Sequence, residues 1–218
     1  MSHTLLRVVN NLRRPLPDLC SYLMAKVTSA LWKRSIRQVG RGFHICSGAL
    51  IEGGDGIRIG DGFYAGQQLW IAAVQRYGEQ TFTPVIEIGN YVTCSQSVHI
   101  AATVRVTIED GVMFGSRIHV TDHAHGRYQG DVQDSPEVRP TLRPLAPGRP
   151  VKIERNVWLG DGVVVLPGVT IGEGCVIGAN SVVSRSLPAY VIAVGAPAVP
   201  IKRFDRQANQ WLPCSTDE

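Results

Sequence analysis

The sequence predicts an all-β solenoid, a chain wound into a three-sided β-helix that buries one aliphatic side chain on each side of every coil. The first observation is a six-residue beat. Ile153, Leu159, Val165, Ile171, Ile177 and Val183 are aliphatic at constant spacing, and Gly160, Gly172 and Gly178 directly follow three of them. A helix repeats at 3.6 residues and a simple strand at 2, so neither element alone produces a period of six. A chain that turns a corner every six residues does, and three such sides close a coil of about eighteen. The second observation is a recurrent start signature: Ile57-Arg58-Ile59-Gly60, Ile86-Glu87-Ile88-Gly89, Val106-Thr107-Ile108-Glu109, Val151-Lys152-Ile153-Glu154 and Val169-Thr170-Ile171-Gly172. The third is composition: 23 glycines and only 7% aromatic residues suit a narrow coil with tight corners. A β-sandwich with glycine turns would not keep a six-residue period.

The elements follow in chain order. Residues 1–38 read as a basic N-terminal helical cap. Pro15 and Pro17 break the segment, and Asp18 is placed to cap a helix running to about Arg34. Leu19, Tyr22, Leu23, Val27, Ala30 and Leu31 share one face at helical spacing. That face is expected to pack on the open first coil and hide its strand edges; the other reading is an amphipathic helix lying on an anionic membrane surface. Residues 39–200 form the β-helix, with 39–56 a worn first coil. The starts at 151 and 169 are 18 residues apart, one uninterrupted coil. Those at 57, 86, 106 and 151 leave 11, 2 and 27 residues in excess, which a solenoid ejects as surface loops. The longest excursion, 123–150, is stiffened by Pro136, Pro140, Pro144, Pro147 and Pro150. Residues 201–218 read as a C-terminal tail.

Composition fits one soluble domain of 218 residues. No run of eighteen apolar residues is present, and the N-terminus lacks the apolar core and cleavage site of a signal peptide. Five scattered cysteines without CxxC spacing, two of them (Cys94 and Cys175) at inward or corner positions of the repeat, point to a reducing, cytoplasmic setting. Residues 1–41 carry a net charge of +7 and the remainder −3. Beyond that segment acids interrupt the basic residues and no binding motif occurs, so no nucleic-acid partner is expected.

The beat stops after Val120, at Thr121-Asp122-His123-Ala124-His125-Gly126, where the long loop leaves the scaffold. Substrate contacts concentrate on loops held by a rigid frame. His119, His123 and His125 are the clustered candidates for acid–base work near neutral pH. His119 keeps the alternation of Ile118 and Val120 and reads as a wall residue. His123 is the first position past the coil edge, held rigidly yet able to face solvent, which suits a general base. Asp122 adjoins it, but neighbours on a strand point opposite ways, so no dyad is expected.

Residues 40–204 resemble the hexapeptide-repeat acyltransferases, within the branch of galactoside, maltose, colanic-acid and lipopolysaccharide O-acetyltransferases. The resemblance rests on Gly62-Phe63-Tyr64-Ala65, Val120-Thr121-Asp122-His123, Asn156-Val157-Trp158-Leu159-Gly160, Leu166-Pro167-Gly168-Val169-Thr170-Ile171-Gly172, Ile177-Gly178-Ala179-Asn180-Ser181-Val182-Val183 and Gly195-Ala196-Pro197-Ala198. His123-Ala124-His125-Gly126 with its Pro-rich loop is most similar to the polysaccharide and lipopolysaccharide members. The resemblance implies a left-handed parallel β-helix, an exception to the right-handed crossover rule that no spacing reveals. It further implies a homotrimer with active sites at subunit interfaces, acetyl-CoA as co-substrate and no metal. His123 matches the family's base, and the backbone N–H of Asp161 the donor to the tetrahedral oxyanion. Trp158, Gly160, Gly178 and Ala179 match the cofactor channel, and Lys202 and Arg203 the stretch that faces CoA phosphates. Where the galactoside branch reads Phe-Tyr-Ala-Asn, this chain has Phe63-Tyr64-Ala65-Gly66. Acceptor contacts are therefore expected from Tyr64, Gln67 and, at the loop mouth, Asp122 and His125.

The function expected is acetyl transfer to a sugar hydroxyl of a bacterial surface polysaccharide or its lipid-linked precursor, in the cytoplasm or peripherally at the membrane's inner face. Three other readings stay open at this point. An N-acetyltransferase of an amino-sugar nucleotide would use the same fold, donor and base. A zinc enzyme of the γ-carbonic anhydrase type shares the β-helix, but its ligands include an H-x4-H pair, whereas the three histidines here are spaced by 4 and 2. A non-catalytic hexapeptide scaffold would have no use for His123 and the cofactor path.

Overall fold

A computed structural model describes residues 15–214. Short strands stack into three parallel sheets that form the sides of a left-handed β-helix. The first face carries Gln38–Val39, Ile57–Ile59, Val85–Ile88, Arg105–Ile108, Val151–Ile153 and Thr170–Ile171. The second runs from His44–Ile45 through Tyr64–Ala65, Thr93–Cys94, Met113–Phe114, Trp158–Leu159 and Val176–Ile177 to Val191–Gly195. The third holds Leu50–Glu52, Trp70–Ala73, His99–Ala102, His119–Thr121, Val164–Val165 and Val182–Val183. Start signatures stack in register, Ile57 on Ile86, Ile86 on Val106 and Val106 on Val151.

The inward residues of each coil make one continuous core. Ile153, Leu159, Val165, Ile171, Ile177 and Val183 are all buried, as are Cys94 and Cys175. Each such aliphatic side chain contributes roughly 1.5–3 kcal/mol relative to exposure. Phe63 and Phe114 are also fully enclosed, with Phe63 stacked on Phe43 at 5.8 Å between centroids.

All three insertions leave the same corner, between the third and first faces. The 11 extra residues form a small antiparallel hairpin, Arg76–Tyr77 with Gln80–Thr81. The two extra residues make the turn around Thr103 and Val104. The 27 extra residues form the 123–150 loop, whose base is closed by Ala146 N–H donating to Ala124 O (2.8 Å) and Gly126 N–H to Pro144 O (2.9 Å). Loop and hairpin join into one lobe. Gln80 Nε2 donates to Leu145 O (3.1 Å), its Oε1 accepts from Leu145 N–H (2.7 Å), and Tyr77 Oη donates to Thr141 O (2.9 Å).

Both ends depart from expectation. The helix Leu16–Lys33 does cap the first coil, with Ser29 Oγ accepting from Ile45 N–H (2.9 Å). It packs through Ala25 and Ser29, however, and leaves Leu23, Val27 and Leu31 exposed. Small residues let the helix approach the strand edge closely, so the larger ones face away. The basic residues Arg7, Arg13 and Arg14 lie outside the described residues. The stretch read as a C-terminal tail is largely a β-hairpin. Ala198–Asp205 pairs antiparallel with Val191–Gly195, and Gln210–Pro213 pairs with Ala198–Asp205. This hairpin covers the last edge of the second face, the edge that a β-helix must hide.

Candidate active site

His123 stands at the corner that bears the lobe. The third-face strand ends at Thr121, and with it the strict pleat alternation. Asp122 and His123 therefore do not point apart. Asp122 Oδ1 accepts from His123 Nδ1–H at 2.8 Å, and the imidazole is 11% exposed while the carboxylate is fully buried. The expectation of no dyad is overturned, and so is Asp122 as an acceptor contact, because no surface of it remains to touch a substrate.

The two extra residues of the preceding coil explain how a carboxylate survives there. Asp122 accepts from Thr103 N–H (2.9 Å), Thr103 Oγ1 (3.2 Å), Val104 N–H (2.7 Å) and Arg105 N–H (2.8 Å) as well as from His123. Burial by itself would raise the carboxyl; the bonds from His123 and the three backbone N–H groups together hold it below the usual carboxylate range. An ionised Asp122 on Nδ1–H fixes the tautomer of His123 and leaves the Nε2 lone pair free to take a proton.

A ring column that local sequence reading passes over leads away from His123. Trp70, His99 and His119 are level with one another on the third face. Trp70 stacks on His99 with centroids 4.0 Å apart, its Nε1–H donating to Glu52 Oε2 (3.1 Å). The Nδ1 atoms of His99 and His119 are 3.1 Å apart. Burial first, then neighbouring His119 and His123, pushes His99 down to about 4, and burial and His123 lower His119. The cationic form of both rings is thus disfavoured, and His119 is the wall residue its alternation suggested. The 20-residue spacing of 99 and 119, one coil with two extra residues, is the signal that could have paired them.

The remaining candidates gather on the second face. Tyr64, Thr93, Met113, Trp158, Val176, Ile192 and Lys202 form one row across neighbouring strands. Tyr64 and Gln67 line a groove of about 440 Å³ together with Thr93, Ser95, Gln96 and Met113. Trp158 is 49% exposed. Behind it, Gly160 and Gly178 lie where adjacent coils touch: a Cβ on Gly160 would come within 2.8 Å of Ala179 N, and one on Gly178 within 2.7 Å of Val194 Cγ1. Asp161 Oδ1 accepts from Ser116 N–H (2.7 Å), and the Asp161 N–H itself donates to no acceptor among the described residues. Arg203 lies beside Lys202 on the terminal hairpin. His125 sits in the lobe, edge-on to Tyr77 at 5.2 Å.

These two groups do not meet within one chain. Val164 pairs with His119, so Asp161 precedes that level by three residues and His123 follows it by four. At about 3.3 Å per residue they stand roughly 15 Å or more apart along the third face. Among the described residues, no three His, Cys, Asp or Glu side chains gather into a metal-ligand set.

Comparisons with known proteins agree with this architecture. The profile of the bacterial transferase hexapeptide family (six repeats) matches residues 150–185. WbbJ of Escherichia coli K12, provisionally named a lipopolysaccharide biosynthesis O-acetyl transferase, is 37% identical over 156 residues, 71% of this chain and 76% of the relative. A provisionally named acetyltransferase of Schizosaccharomyces pombe is 55% identical over 60 residues, 28% of this chain and 29% of that one. Among solved structures, a mutant of AntD, an N-acyltransferase from Bacillus cereus, in complex with dTDP-4-amino-4,6-dideoxyglucose and coenzyme A, has the same fold. Its TM-score is 0.63 at 22% identity, over 83% of this chain and 91% of that one. With a relative this similar across most of both chains, the protein belongs to the hexapeptide-repeat acyltransferases.

Proposed function

We propose that the protein transfers the acetyl group of acetyl-CoA to a sugar hydroxyl of a bacterial surface polysaccharide, lipopolysaccharide O-antigen or exopolysaccharide, or of its precursor. The observation that carries this reading is the anchored imidazole: His123 is fixed through Nδ1 on a buried carboxylate and keeps Nε2 for a substrate proton. His123 takes the hydroxyl proton as that oxygen attacks the thioester carbonyl carbon. The tetrahedral oxyanion is held by the Asp161 N–H, and its collapse breaks the C–S bond. The departing CoA thiolate recovers the proton from His123. Because His123 and Asp161 stand apart in one chain, each site is built between two copies, which fits a homotrimer with three interfacial sites. Trp158, Gly160, Gly178 and Ala179 flank the donor's thioester arm, and Lys202 and Arg203 face its phosphates. Tyr64, Gln67 and His125 contact the acceptor. The kinship with WbbJ supports a lipopolysaccharide-type acceptor.

The test is thiol release from acetyl-CoA across a panel of sugars, oligosaccharides, lipid-linked saccharides and amino-sugar nucleotides, with His123→Ala alongside. Acceptor-dependent release that falls about 10²- to 10⁴-fold in the variant is expected. Preferential turnover of an amine acceptor would replace O- by N-transfer, and failure to bind CoA at all would sink the enzyme reading.

A further inference from the structure

The Leu16–Lys33 helix presents its most apolar surface away from the protein. Leu16 is 77% exposed, Leu23 54%, Met24 56%, Val27 56% and Leu31 60%, whereas Ala25 and Ser29 on the opposite side are buried against the first coil. At 100° per residue the five exposed residues fall within an arc of about 100°, a continuous stripe along the helix. Lys26 and Lys33 lie along one flank of that stripe, and Arg34, at the C-cap, continues the 27–31 row. Among the described residues none of Lys26, Lys33, Arg34 or Arg37 pairs with a carboxylate. Asp18 is the only acid in residues 1–41, which sum to +7.

An exposed apolar stripe with a cationic border is the pattern of a helix that lies in a lipid–water interface. We propose that this outer face seats the protein on an anionic bilayer surface, with the stripe among the outermost acyl carbons and the basic border among phosphate head groups. The charge decides between occupants. A second copy would bring the same cationic segment against itself, whereas anionic head groups complement it. No helix among the described residues is long and apolar enough to cross a membrane, so the contact is peripheral. A helix of 18 residues spans about 27 Å lying flat. The proposal does not depend on which acceptor the enzyme uses.

The experiment is flotation of the full chain with vesicles of neutral phosphatidylcholine alone or containing anionic phosphatidylglycerol, at low and high salt. Two variants accompany it, Val27→Ser/Leu31→Ser in the stripe and Lys26→Glu/Lys33→Glu on the border. Both change exposed positions, and unchanged melting would show that they fold. Wild type is expected to float with anionic vesicles, less at high salt, and each variant to lose partitioning at least tenfold while acetylating a soluble acceptor normally. Wild type that stays unbound, floats equally with neutral vesicles, or matches the stripe variant would overturn the proposal. So would a stripe variant of lower oligomeric mass in the absence of vesicles, which would assign the face to a second copy.

Discussion

Replacing Asp122 with its isosteric amide removes a buried charge from beside His123 while keeping its volume. In the native chain two carboxylate oxygens serve five donors: His123 Nδ1–H, Thr103 N–H and Oγ1–H, Val104 N–H and Arg105 N–H. Asp122→Asn offers one oxygen, and its NH₂ opposes at least one of those donors. A hydrogen bond to a charged group is worth about 1.5–3 kcal/mol. In the proposed mechanism the bond to His123 strengthens as the imidazole becomes cationic in the transition state, so its loss should appear in kcat. At 1.36 kcal/mol per decade, the expected fall is roughly ten- to 150-fold. A buried donor left unpaired costs a further 1–3 kcal/mol or so in stability, which for a chain of this size lowers the melting temperature by about 2–12 °C. The pH dependence has a definite sign. The folded carboxyl lies below its ordinary 3.8, so its stabilisation is present above that pH and is lost as pH falls through the lower folded value. The melting gap between native protein and variant should therefore close below about pH 4. Thiol release at saturating acceptor and scanning calorimetry from pH 3 to 8 measure both effects. A variant with lowered melting temperature but kcat within twofold of wild type would refute the dyad and leave Asp122 a purely structural anchor.

Other outcomes follow from the same geometry. His99, with its folded value pushed down to about 4, loses stabilising power as pH falls from 6.5 toward 4; its NMR titration should show a neutral ring at pH 6, and melting should decline through that window. Gln80→Ala strands the N–H and C=O of buried Leu145 and should cost about 2–4 kcal/mol at the lobe, read as faster proteolysis within 123–150 and a raised acceptor KM. Gly160→Ala forces adjacent coils apart at Ala179 and should destabilise by about 1–3 kcal/mol, measured by urea denaturation.

The coil was legible because its signal is global. A six-residue period constrains every inward position at once, and Ile153 through Val183 are buried as that period requires. Insertion lengths could likewise be counted from the start signatures. What the sequence hid is local or distant. The orientation of Asp122 escaped because pleat alternation holds only while a strand lasts, and this one ends a residue earlier. The helix's packing face escaped because periodicity finds the most apolar side, whereas docking selected the smallest residues, Ala25 and Ser29. The Trp70–His99–His119 column joins residues 29 and 20 positions apart, a neighbourhood that exists only after insertions are removed from the count. Lys202 and Arg203 are proposed from resemblance alone, because the strand that carries them has no hexapeptide beat.

That every insertion exits one corner has an evolutionary consequence. Lengthening a surface excursion changes closure entropy slowly, by about 0.6 kcal/mol per doubling, and here it disturbs neither the ladder nor the core. Excursions of 2, 11 and 27 residues leave the other two corners untouched, and with them the Trp158 row. On the proposed assignment of the lobe to the acceptor and the Trp158 row to the donor, descendants of this chain can trade one lobe for another without relearning how to handle the donor.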